Sequence, residues 1–158
     1  MIFVTIGLMY GFDRLVRKMD ELAVVINEEI VIQTGETIYE PEHAKYFRFI
    51  SKEEMGKFYN NARIIVCHSG VGSILTALEY GKTVIVVPRL KIYGEHIDDH
   101  QLEIAREFQT RKKITVVYDI EELFSVLNNV KDTYNNFDQK NELVINLRKY
   151  LCTLNIKK

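Results

Sequence analysis

At 158 residues with 47% hydrophobic content, the chain can bury one core and reads as a single domain over residues 1–158. Its 21 Lys and Arg against 22 Asp and Glu are interspersed and leave a net charge of −1, which excludes a polyanion surface and with it a nucleic-acid partner. Cys67 and Cys152 have no paired or metal-type spacing, the start MIFVTI lacks a signal-peptide pattern, and no run nears the roughly 20 apolar residues of a membrane span, so a soluble, reduced, cytoplasmic chain is expected.

The run IFVTI (Ile2 to Ile6) predicts a first strand ended by Gly7, and the helical spacing of Phe12, Leu15, Val16, Met19, Leu22, Ala23 and Ile26 predicts a helix from Phe12 to Ile26. EIVIQT (Glu29 to Thr34) and KYFRFI (Lys45 to Ile50) read as the second and third strands. Ser51, three residues before Glu54, has capping-box spacing and opens a helix to about Asn60. RIIVC is the fourth strand, Val71 to Tyr80 a helix stopped by Gly81, and TVIVVP (Thr83 to Pro88) the fifth strand. A long loop from Arg89 leads to a helix over Asp98 to Gln109, KITVVY (Lys113 to Tyr118) is the sixth strand, and Asp119 caps a helix to about Asn129. A last helix is expected over about 138–154, with Leu143, Leu147, Tyr150, Leu151 and Leu154 in one stripe, either docking a partner or packing on its own domain. Val/Ile strands alternating with helices predict an α/β fold, a single Rossmann-like doubly wound parallel sheet, whose ligands bind at the carboxyl ends of the strands.

Three loops lie at those ends. In the first, Gly7 and Gly11 stand between strand and helix, as a phosphate-cradling turn requires, but neither G-x-G-x-x-G nor P-loop spacing is present. An ordinary strand-to-helix turn accounts for this loop equally well. In the second, His68-Ser-Gly-Val-Gly-Ser73 puts small residues and hydroxyls at a helix start, an anion site that would fit a diphosphate. The alternative is that Ser69 or Ser73 only caps the helix and His68 only ends the strand. The third loop, Pro88 to Ala105, exceeds what a crossover needs and gathers His96, Asp98, Asp99, His100 and Gln101. His96 and His100 with Asp99 could be metal ligands, but no H-E-x-x-H pattern is present, so no metal is expected and hydrogen bonding of Asp99, His100 and Gln101 to a polar ligand is preferred.

The strand followed by HSGVGSILTALEYGKTVIVVP, the GEHIDDHQLEIA loop and helix, and the N-terminal IFVTIG and FDRL resemble glycosyltransferase family 28, over roughly Met1 to Phe108. The likeness is to small subunits equivalent to the C-terminal half of a GT-B glycosyltransferase, among them bacterial exopolysaccharide or capsule subunits and the donor-binding subunit of the dolichol-pathway UDP-GlcNAc transferase. The resemblance implies a UDP-sugar as substrate and no cofactor. Gly7, Ser69, Gly70, Val71, Gly72 and Ser73 would hold the diphosphate and neighbouring groups, and Asp99, His100 and Gln101 would face the donor sugar. Relatives commonly carry a ribose-binding glutamate where this chain has Thr76, which could give only a weaker hydrogen bond.

A GT-B enzyme needs two halves, so the expected function is the donor-binding and catalytic subunit of a two-chain enzyme that moves a hexose or N-acetylhexosamine to a lipid-linked acceptor. A membrane-associated partner would supply the acceptor site, recruit this chain to the cytoplasmic face of the membrane, and carry the catalytic base, with His68 or His100 as local candidates. The rival readings are a non-catalytic nucleotide-sugar-binding regulatory subunit, a fragment like a UDP-sugar epimerase, and a plain dinucleotide-binding domain.

Overall fold

The computed structural model describes residues 1–111 and 114–130. The expected helix over 138–154 lies outside the described residues.

Strands β1 (Ile2–Thr5), β2 (Ile30–Gln33), β3 (Lys45–Phe47), β4 (Ile64–His68), β5 (Thr83–Val87) and β6 (Thr115–Val116) form one parallel sheet in the order β3-β2-β1-β4-β5-β6. Helices α1 (Asp13–Ala23), α2 (Lys52–Asn61), α3 (Val71–Glu79) and α4 (His100–Thr110) lie between them in the chain, and α5 (Leu123–Asn129) follows β6. This is the Rossmann-like doubly wound arrangement that the sequence pattern predicts, and its chain order reverses between β1 and β4.

Strand periodicity divides the core in two. Ile2, Val4, Ile30, Ile32, Ile64, Val66, Ile85 and Val87 pack on one face with Leu15, Val16 and Met19 of α1 and Leu123 and Leu127 of α5. Phe3, Val31, Ile65, Cys67, Val84 and Val86 pack on the other with Tyr59 of α2, Ile74 and Leu78 of α3, and Ala105 and Phe108 of α4. Each strand therefore needs apolar residues at successive positions, which is why β1, β2 and β4 read as unbroken aliphatic runs.

Ser51 forms the expected capping box, its hydroxyl accepting the Glu54 N–H at 3.2 Å while the Glu54 carboxylate accepts the Ser51 N–H at 3.1 Å. The edge strands are shorter than expected. β3 pairs only with Val31, Ile32 and Gln33, and β6 only with Ile85 and Val86, after which a single bond from the Val117 N–H to the Val86 carbonyl at 2.9 Å ends the contact of β6 with β5. Helix α4 begins at His100, two residues later than expected; the Asp98 carboxylate accepts the His100 N–H at 3.1 Å and the Asp99 carboxylate the Lys91 N–H of the loop at 3.0 Å. Asp119 accepts the Glu121 N–H at 3.0 Å and opens a 3-10 turn, Ile120–Glu122, before α5.

Buried Asp20 of α1 anchors the loop after β2. Its carboxylate accepts the backbone N–H groups of Ala44, Glu42 and His43 and the hydroxyl of Tyr39, at 2.7–2.9 Å. Burial pushes its pKa up, but these four donors outweigh it and hold the carboxyl below its ordinary value.

Candidate functional site

The turn from β4 into α3 is built to leave hydrogen-bond donors free. Gly70 is the N-cap residue, with extended backbone and no side chain closing the cap. The first helical bond runs from the Ile74 N–H to the Gly70 carbonyl at 3.0 Å, so the N–H groups of Val71, Gly72 and Ser73 have no acceptor within the helix. Ser69 is fully buried, and its Oγ has no hydrogen-bond partner among the described residues. Neither serine caps the helix, so the purely structural use of these hydroxyls is not what the fold adopts. An unsatisfied buried hydroxyl is costly in itself; beside free N–H groups at the positive end of a helix it offers the donors and the field that an anion requires.

His68 fixes the shape of this corner. Gly7 has φ +80°, and a Cβ there would stand 2.8 Å from the His68 Cε1. A Cβ on Gly70 would stand 2.2 Å from its Nε2. The imidazole is thus wedged between the two glycines, and both must lack a side chain. Burial, followed by the charge of nearby Arg89, pushes the His68 pKa down to about 4, so the ring is neutral at pH 7.

Two buried side chains tie the three loops together. The Gln101 Oε1 accepts the N–H of Ser69 at 3.2 Å and of Arg89 at 3.0 Å, joining the ends of β4 and β5 to the start of α4. The Arg89 guanidinium donates to the carbonyls of Ile6 and Tyr10, both at 2.7 Å, and of Gly11 at 3.2 Å, and lies over the Phe12 ring. Burial lowers the Arg89 pKa to about 10, so it stays cationic at neutral pH. Its hydrogen bonds go to carbonyls, and its positive charge adds to the attraction for an anion. The carboxyl end of β1 is braced further by Gln33, whose Nε2 donates to the Gly7 carbonyl at 2.9 Å.

The structure therefore brings Gly7, His68, Ser69, Gly70 and Gln101 into one cluster at the reversal of strand order. Asp99 and His100 stand at the exposed start of α4. The Asp99 carboxylate accepts the Lys91 N–H at 3.0 Å, and the His100 Nδ1 is 3.3 Å from the Glu103 carboxylate. The Thr76 hydroxyl donates to the Gly72 carbonyl at 2.8 Å, a bond within its own helix. Among the described residues no group of three or more His, Cys, Asp and Glu side chains is placed to hold a metal ion. Sequence reasoning missed Arg89, and the available signal was a charged residue set directly after the apolar run Val84 to Val87 and Pro88.

Comparison with known proteins bears on the family and the fold. The family model for the glycosyltransferase family 28 C-terminal domain matches residues 1–147. The UDP-N-acetylglucosamine transferase subunit ALG13 of Candida albicans is 30% identical over 112 residues, 70% of this chain and 36% of that protein. The ALG13 subunit of Kluyveromyces lactis is 33% identical over 90 residues, 44% of its length, so the matches span less than half of these curated relatives. Among solved structures, the solution structure of ALG13 superposes with a TM-score of 0.55 at 20% identity, covering 80% of this chain and 83% of that one. MurG of Acinetobacter baumannii gives 0.56 at 19% identity, covering 80% of this chain and 41% of its own. These structural likenesses establish the shared fold.

Proposed function

Because the chain belongs to the family of the glycosyltransferase family 28 C-terminal domain, we propose that it is the donor-binding and catalytic subunit of a two-chain, UDP-sugar-dependent hexosyltransferase. It moves a hexose or N-acetylhexosamine from the UDP-sugar to a lipid-linked acceptor. The ALG13 relatives are UDP-N-acetylglucosamine transferase subunits, which supports UDP-GlcNAc as donor and a partner subunit. That partner supplies the acceptor site and brings the chain to the cytoplasmic face of the membrane; no described helix is long and apolar enough to cross one.

The observation that carries this reading is the partnerless buried Ser69 hydroxyl beside the free N–H groups of Val71, Gly72 and Ser73. As the bond from the anomeric carbon to the diphosphate breaks, negative charge develops on the leaving oxygen. Donors already aimed at the diphosphate stabilise that charge without reorganising, which is where such sites gain most of their rate. Gly7 lets the first loop approach the donor, and Gln101 and Arg89 hold the loops in register. The reaction in this reading needs no cofactor. The proton of the acceptor hydroxyl goes to a base on the partner, with exposed His100 as the local candidate. His68, held near pKa 4, is a weak base at neutral pH and serves to shape the corner.

The same depressed His68 favours a second reading, in which this chain only captures the donor and the partner carries every catalytic group. Calorimetric titration with UDP, UDP-GlcNAc, UDP-Gal, UDP-Glc and NAD tests the first step. Uridine-specific binding is expected, and binding of NAD alone would remove the glycosyltransferase reading. Turnover of the reconstituted pair with Ser69→Ala then separates the readings: a lower kcat at saturating UDP-sugar assigns stabilisation of the leaving diphosphate to this corner, whereas an unchanged kcat with a raised KM leaves donor capture.

A further inference from the structure

A pocket of about 390 Å³ lies beside the glycine corner, between the loop after β1, the loop after β2 and the loop after β5. Its size falls within the roughly 300–1,000 Å³ of small-ligand sites. Tyr10, Asp13, Arg14, Glu36, Tyr93 and Glu95 line it. None of them belongs to the anion corner, though Tyr10 shares the loop that Arg89 holds.

The lining is set in place from several directions. Arg14 donates through Nε and Nη2 to both carboxylate oxygens of Glu95, at 2.7 and 2.9 Å, and through Nη2 to the Pro88 carbonyl at 3.0 Å. Its guanidinium lies 4.9 Å from the Tyr93 ring centroid and 5.3 Å from that of Phe12. The Asp13 Oδ1 accepts the Tyr39 N–H at 2.8 Å. These bonds leave the Arg14 Nη1, the Asp13 Oδ2 and the exposed Glu36 carboxylate for a ligand. Tyr93, beside Arg14, is 61% exposed and Tyr10, edge-on to His96, 40%, so both aromatic side chains keep solvent-accessible surface at the pocket.

The charge balance selects the ligand class. Three carboxylates face one guanidinium that Glu95 already neutralises, so a phosphate or a carboxylate would be repelled. A wholly apolar ligand would strip water from those carboxylates with nothing in return. A neutral ring with hydroxyls at its edge and C–H groups on its face meets both demands, accepting aromatic contact and donating to carboxylates. We propose that this pocket is a subsite for a neutral pyranose ring. The inference rests on the glycosyltransferase reading only for which sugar arrives there, the hexose of the donor or a residue of the acceptor.

The test is an amide-resonance titration of the full chain with methyl β-D-glucopyranoside, methyl β-D-galactopyranoside and methyl N-acetyl-β-D-glucosaminide, with glucuronic acid as the charged control. At least one neutral glycoside is expected to shift the Gly11 and Gly94 amides saturably, with an apparent Kd on the order of millimolar for a ligand of this size. Tyr93→Ala should weaken that binding tenfold or more, and Glu36→Gln severalfold, whereas Ile97→Ala, at an exposed position outside the lining, should leave it unchanged. Absence of saturable shifts with every neutral glycoside, equal binding of glucuronic acid, or indifference to Tyr93→Ala would overturn the proposal. Shifts at Gly11 and Gly94 with UDP-GlcNAc but not UDP assign the subsite to the donor sugar; shifts only with free glycoside beside bound UDP assign it to the acceptor. UDP itself reports at the Val71 to Ser73 amides, so loss of the transferase reading and loss of the pocket are seen separately.

Discussion

The side chain of Gln101 accepts the backbone N–H of Ser69 at 3.2 Å, across 32 residues of sequence, and the same oxygen accepts the Arg89 N–H. A residue expected to face the donor sugar thus also braces the floor of the anion corner. Gln101→Leu leaves both N–H groups buried without an acceptor, at a cost of about 1–3 kcal/mol each. It should lower the Tm and weaken UDP binding together. Gln101→Glu keeps an acceptor for both and should hold the corner's shape, but its negative charge should weaken UDP and inorganic diphosphate alike. If the amide nitrogen also serves the donor sugar, the gain in affinity of UDP-sugar over UDP disappears in this variant. Calorimetry with UDP and UDP-GlcNAc on both variants checks these outcomes.

The two glycines of the corner should respond in opposite ways. A Cβ on Gly72 meets nothing within 4 Å, and alanine is preferred in helices by up to about 1 kcal/mol. Gly72→Ala should therefore hold or raise the Tm. If a diphosphate lies over the free N–H groups, the added methyl crowds it and UDP affinity falls about tenfold, near 1.4 kcal/mol. Gly70→Ala instead forces the His68 ring away from a Cβ that would stand 2.2 Å from Nε2. Both Tm and UDP binding should drop, as thermal unfolding and titration would record.

The central strands were legible because burial on both faces demands apolar side chains at successive positions, as in Ile64 to Cys67. The edge strands were not, since a short apolar run such as the one around Ile114 to Val117 says nothing of where its partner's ladder ends. The glycine corner was legible as a local pattern of small residues at a helix start. Its alternative, a serine cap, falls only to the fold itself, which puts Gly70 at the N-cap, because Ser69 and Ser73 are both capping residues by type. What sequence could not carry was long-range bracing. Arg89 donates to the carbonyls of Ile6, Tyr10 and Gly11, and backbone acceptors leave no residue-type signature at those positions. Asp20 is hidden for the same reason, its N–H donors lying in the loop over 42–44.

The wedged imidazole makes stability depend on pH. A histidine of ordinary pKa 6.5 when unfolded, held at about 4 when folded, binds fewer protons in the native state across that interval. Stability should therefore decline as pH falls from about 6.5 to about 4, by at most about 3 kcal/mol, and this contribution levels off below. His68→Asn should remove the slope in that window. The depressed Asp20 carboxyl acts in a lower window, its stabilisation being lost as pH falls below the ordinary carboxylate range. Urea unfolding of both proteins between pH 7 and 4 measures the difference, and equal slopes would contradict the burial of the ring.

Thr76 is where this chain departs from its resemblance, and its geometry sharpens the consequence. Its hydroxyl donates to the Gly72 carbonyl at 2.8 Å, within the helix whose N-terminus forms the corner. A hydroxyl so engaged still has lone pairs to accept a ribose hydroxyl, but it offers no charge-assisted bond. Thr76→Val should accordingly leave UDP affinity within about twofold, because little binding energy passes through the side chain. Thr76→Glu installs a carboxylate on the same half-buried helix position, one that can accept both ribose hydroxyls. Hydrogen bonds to charged groups contribute about 1.5–3 kcal/mol, so UDP affinity should rise about tenfold or more. The gain should be absent for inorganic diphosphate, which has no ribose. Titration of the three proteins with UDP and diphosphate decides the matter. A Thr76→Glu variant that binds UDP no better than the parent would place the ribose away from α3, while an equal effect on diphosphate would mean the carboxylate acts on the corner's charge.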